Sequence, residues 1–103
     1  MSTNALITIE GVDNIYVYKH WDGYPDATLQ WLKDFNESFK RNRGDDSSYK
    51  AAQLLRSSAF DAEKYVLDAS KYTGWGVFTE YNGGGVDVDY IYKLMKDGSV
   101  GAK

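Results

Sequence analysis

Two pairs of side chains in this 103-residue chain have the types and spacing to do chemistry. His20 and Asp22 could form an acid–base pair, a carboxylate orienting an imidazole that titrates near neutrality. No serine is tied to them by a nucleophile motif and the chain has no cysteine, so the pair alone specifies no reaction. Asp87 and Asp89 alternate with Val86, Val88 and Tyr90. They would leave one strand face together and, with a third carboxylate, could hold a hard cation; a solvated strand face has the same pattern. A third set, His20, Trp21 and Tyr24 with Lys19 or Arg43, could build an aromatic corner for a small ligand or nucleotide. A single histidine and no cysteine fall short of the ligands that zinc and transition metals usually draw. No cofactor, metal site or catalytic set is therefore assigned, and the chain is not expected to be an enzyme.

The elements that would position these residues meet at His20-Trp21-Asp22-Gly23-Tyr24-Pro25, where an alternating pattern gives way to a helical one. Ala5–Glu10 and Asn14–Lys19 are β-branched and aromatic around a short turn, which predicts a hairpin. Period 2 puts Ile15 and Val17 on one face of the second strand and Tyr16, Tyr18 and His20 on the other. Gly23 suits a reversal through positive φ, and Pro25 suits the first turn of a helix. Leu29, Leu32, Phe35 and Phe39 then recur at helical spacing to about Asn42. Arg43–Ser48 reads as a loop ending in N-cap residues; its Arg-Gly-Asp is taken as an accident of composition. A second helix is expected from Ser48 to Tyr72, either continuous or broken by a cap near Ser57-Ser58.

Trp75–Tyr81 and Val86–Lys93 read as strands around the turn Asn82-Gly83-Gly84-Gly85, with Val86, Val88, Tyr90 and Tyr92 sharing a face. From Asp97 a flexible tail is expected, leaving an ordered core of about residues 4–95 in one domain spanning 1–103. The order β-β-α-α-β-β predicts an α+β fold: two hairpins forming a four-stranded, mostly antiparallel sheet with both helices on one face.

The segment Tyr18-Lys19-His20-Trp21-Asp22-Gly23-Tyr24-Pro25 resembles a signature of small proteins of phages, prophages and archaeal viruses. There it typically reads Tyr-Arg-His-Trp-Asp-Gly-Tyr-Pro, so Lys19 stands where arginine is usual. The likeness continues more weakly through Ala51–Ala69 and Gly85–Tyr92. Such proteins have no established common activity, so the resemblance implies a mobile-element origin more than a function. Because many small accessory proteins of mobile elements antagonise host defence, CRISPR effectors included, it implies a host protein or complex as partner, a nucleic-acid-binding one among the candidates, and an inhibitory role.

Composition narrows the classes. Fifteen acidic against twelve basic residues give a net charge of −3, which disfavours direct nucleic-acid binding. No run approaches the roughly 20 apolar residues of a membrane span and no signal pattern opens the chain, so a cytoplasmic location in a host cell is expected. Nine tyrosines cannot all be buried in a domain this small. Tyr16, Tyr18, His20, Trp21, Tyr24, Tyr90 and Tyr92 are therefore the candidate binding residues, for a host macromolecule or a second copy of the chain.

Overall fold

Alternation of β-branched residues does build the first hairpin. In the computed structural model, which describes residues 3–20, 22–61, 74–79 and 88–102, β1 (Ala5–Ile9) and β2 (Val12–Lys19) pair antiparallel. Gly11 turns the chain between them at φ 95°, a backbone state that side chains resist. Helix α1 (Pro25–Arg43) and helix α2 (Ser47–Asp61) follow, then β3 (Trp75–Phe78), β4 (Tyr90–Leu94) and β5 (Val100–Ala102).

The fold is α+β, with two helices and a mixed five-stranded sheet in the order β3-β2-β1-β4-β5. β3 and β4 do not form the expected second hairpin: β3 adds antiparallel to β2, while β4 lies parallel to β1, with Ala5 opposite Tyr90 and Ile9 opposite Leu94. Two long-range interactions support this arrangement. Asn4 and Asp89 exchange hydrogen bonds at the start of the parallel pair, backbone N–H to side chain in both directions at 3.1 and 2.8 Å. β1 is also the most apolar strand, and at the centre of the sheet it is paired along both sides.

The expected tail is also replaced. Residues 100–102 form β5, antiparallel to β4. Its turn is held by Asn36, whose Nδ2 donates to the Met95 and Ser99 carbonyls at 2.9 and 2.8 Å, and by Asp97, which accepts from the Ser99 N–H and hydroxyl. The Ser99 bonds hold the exposed Asp97 carboxyl below the ordinary aspartate value.

Both helices cover one face. α1 packs on β4 and β5, α2 on β1 and β2, and Leu32, Ala51 and Leu54 meet Ala5, Ile7, Ile9, Val17, Tyr92 and Leu94 in one core. Leu32 and Leu54 are fully buried, each contributing about 1.5–3 kcal/mol through apolar area removed from water. The expected α1 stripe is present, with Leu32 and Phe39 buried and Leu29 and Phe35 half-buried. For α2, the part of the expected stretch beyond Asp61 lies outside the described residues, as do the turn Asn82–Gly85, Val86 and Asp87.

The strand-to-helix corner works differently from the sequence expectation. Asp22, not Gly23, carries the positive φ, at 54°. Glycine is required at 23 by proximity: a Cβ there would lie 2.6 Å from the Asn4 carbonyl carbon and 2.8 Å from Ala5. The Gly23 N–H donates to the Thr3 carbonyl at 2.8 Å, the Tyr92 hydroxyl donates to the Gly23 carbonyl at 2.6 Å, and the Thr28 hydroxyl donates to the Asp22 carbonyl. Pro25 opens α1 in its first turn, as expected.

Gly23→Ala is therefore expected to destabilise the fold by about 1–3 kcal/mol in urea melts, as overpacking against backbone does. Asp22→Gly, which relieves the left-handed φ, should be near neutral or mildly stabilising. Tyr92→Phe should cost about 1–3 kcal/mol by leaving a buried carbonyl without its donor.

Candidate binding face

The pairing register decides where each candidate side chain goes. Ala5, Ile7, Ile9, Val17, Lys19, Tyr90, Tyr92 and Leu94 align on the helix-covered face, and Leu6, Thr8, Tyr16, Tyr18, His20, Ile91 and Lys93 on the other. Tyr16, Tyr18 and His20 thus share a face, as their alternation implies. Tyr90 and Tyr92 do not join them. Tyr92 is fully buried in the core and Tyr90 is half-buried beside it, rings 6.3 Å apart, so Tyr92 is not available as a surface anchor. Burial and the neighbouring Tyr90 push the Tyr92 phenol above its ordinary pKa.

At one end of the second face Tyr18 is the centre of a polar and aromatic cluster. Its hydroxyl shares a 2.7 Å hydrogen bond with His20 Nδ1 and accepts from Asn4 Nδ2 at 3.3 Å, and its ring lies 5.1 Å from Phe78. His20 is therefore tied to a tyrosine by its side chain and to Gly74 by its backbone N–H. Asp22 is exposed beyond the strand end, and no bond from it to the imidazole is found among the described residues.

At the other end, Thr8, Ile91, Lys93, Tyr16 and Gly101 line a groove of about 420 Å³, with Val12, Asp13 and Met95 at its sides. The Tyr16 hydroxyl donates to the Asp13 carbonyl at 3.3 Å. A Cβ at Gly101 would meet no atom within 4 Å, and its φ is not left-handed, so neither sterics nor backbone strain demands glycine there. Groups of this composition can hold an apolar side chain and hydrogen-bond a polypeptide.

Of the expected small-ligand corner, the described residues place Lys19 and Arg43 away from His20. Tyr24 is 40% exposed at the start of α1, Lys19 lies on the helix side with its ammonium 5.1 Å over Trp75, and Arg43 stacks on Tyr49 at the far end of α1, about 27 Å along the helix from Pro25. Trp21 lies outside the described residues. Asp89 is exposed and bonded to Asn4, and the described residues hold no group of three potential metal ligands.

Two buried polar residues escaped the sequence reading. Asn36 and Lys50 are fully buried beneath the Met95–Ser99 turn, where Lys50 Nζ donates to the Met95 carbonyl at 3.3 Å and lies 5.4 Å over Phe39. Asn36 Oδ1 is left without a hydrogen-bond partner. Asn36 lies in an apolar stripe between Leu32 and Phe39, and that spacing is the signal that could have found it; Lys50 lies between Ser47 and Leu54, and the stripe gives no such signal there. Trp31 was missed too; it stacks with Phe35 and meets Trp75 at 5.9 Å, linking α1 to β3.

Comparison with family models, with curated proteins and with solved structures gives no match. Among the described residues, no helix is long and apolar enough to cross a membrane.

Desolvation holds the Lys50 ammonium below its ordinary pKa of 10.5; Glu10 opposes this, Lys40 adds to it, and Asp45 and Asp97 oppose it more weakly. As pH rises through the folded value towards 10.5, the native state loses the proton before the unfolded chain does, so stability should rise across that window. Lys50→Met removes the charge and keeps the volume. It is expected to hold or raise stability at pH 7, with the wild type gaining on it as pH approaches 10 in paired urea titrations.

Proposed function

We propose that this protein is a small interaction module that binds a host macromolecule through the sheet face opposite its helices and inhibits that partner by occupying its working surface. The observation that carries the reading is the groove between Tyr16, Ile91, Lys93 and Gly101, a largely apolar recess with polar groups from Thr8, Asp13, Tyr16 and Lys93, on the sheet face opposite α1 and α2. Such a surface suits a few aromatic and aliphatic anchors surrounded by polar contacts.

The resemblance of residues 18–25 to phage, prophage and archaeal-virus proteins supports a mobile-element origin. It also favours a host defence effector of the CRISPR type as the partner, met in the host cytoplasm. The net charge of −3 supports docking near a basic, nucleic-acid-binding surface, and is too small for the protein to replace nucleic acid by charge alone.

Affinity capture from host lysate, followed by mass spectrometry, tests the reading. Tyr16→Ala and Lys93→Glu should each weaken capture of a specific partner about tenfold or more, equivalent to about 1.4 kcal/mol or more, with melting unchanged. Capture indifferent to both substitutions, or turnover that depends on His20, would refute it.

A further inference from the structure

The groove runs to the edge of the sheet. β5 is the terminal strand there, and its ladder to β4 can be traced from the Met95 N–H, which donates to the Ser99 carbonyl at 2.9 Å. In the same register Gly101 lies opposite Lys93, and hydrogen-bonded pairs alternate with non-bonded ones along an antiparallel ladder. Gly101 therefore pairs inward with Lys93, while the N–H and C=O groups of Val100 and Ala102 point outward from the sheet. No described residue bonds to these four groups.

Edge strands are usually blunted by shortness, charge, proline or a bulge. Val100-Gly101-Ala102 is short but carries no charge, proline or bulge, and Gly101 and Ala102 are exposed. A glycine inside a strand that neither φ nor crowding explains often marks close approach by a ligand or another backbone.

We infer that the outer edge of β5 docks an extended segment of a partner protein, which adds a strand to the sheet and places one apolar side chain in the recess over Gly101. The inference rests on the interaction-module reading and gives the partner a backbone conformation. Strand addition takes its affinity from main-chain hydrogen bonds and its specificity from pockets for alternate side chains, and this edge offers both. A second copy of the chain fits less well. Two-fold pairing centred on β5 would bring Gly101 opposite Gly101, with no side chain to fill the recess.

The test is selection of a random dodecapeptide library displayed on phage against the whole chain, with affinities of recovered peptides measured for two edge variants. Ala102→Pro removes an outward N–H and leaves the β4 ladder intact; Gly101→Leu puts a side chain into the recess from a position where a Cβ meets no atom within 4 Å. The expected result is a set of peptides sharing an apolar residue, each bound at least fivefold more weakly by both variants at unchanged melting temperature. Peptides that bind the variants as well as the wild type, or no recovered peptide, would overturn the inference. So would self-association that Ala102→Pro abolishes in sedimentation, which would assign the edge to a second copy. A host partner lost with Tyr16→Ala but kept by both edge variants would overturn the edge alone and leave the module reading standing; a partner kept by all these variants would overturn both.

Discussion

The backbone of Gly23 packs so tightly against the start of β1 that no side chain fits between them, and the orientation of α1 depends on that contact. The corner is fastened from three directions, by the Thr3 carbonyl, the Tyr92 hydroxyl and the Thr28 hydroxyl. One of these groups belongs to β4, distant in sequence, so the corner is tied to the sheet as well as to its own chain neighbours. Pro25 then sets the first turn of α1, and the helix runs over β4 and β5 with Leu32 in the core.

That placement explains the other end of the molecule. Because α1 crosses β4 and β5, Asn36 reaches the Met95–Ser99 turn and adds a donor to the Met95 and Ser99 carbonyls, which also accept from the Gly98 and Met95 N–H groups. Lys50 approaches the same carbonyl from α2, its aliphatic stem in the core and its ammonium partly compensated by Met95 and the Phe39 ring. Replacing such an ammonium by an apolar residue of similar size is often neutral or stabilising, whereas Lys50 gives the turn a further donor. The turn in turn fixes β5, and β5 forms one wall of the groove.

On the candidate face, the legible part was what period 2 controls. Tyr16, Tyr18 and His20 were grouped correctly because alternation along one strand needs no knowledge of its neighbours. The same alternation groups Tyr90 with Tyr92 but does not say which side of β4 meets the helices. The parallel register with β1 decides that, setting Tyr92 beside Ile7 in the core. Gly101 was passed over as part of a tail because three residues of Val-Gly-Ala have no pattern of their own; they are a strand only because β4 and Asn36 hold them.

By itself the sequence determined the α+β class, the first hairpin, the extent of α1, the start of α2 and the proline-opened corner. Each of these rests on interactions between residues near one another in the chain, through backbone sterics, capping and hydrophobic period. Only the tertiary structure decided that β4 runs parallel to β1, that β3 lies at the opposite edge, and that a fifth strand closes the groove. Strand partners are chosen by contacts between segments distant in sequence. A β pattern reads the same whether its neighbour is parallel or antiparallel, so the choice passes to the Asn4–Asp89 pair, the Tyr92–Gly23 bond and the burial of one strand face over the other.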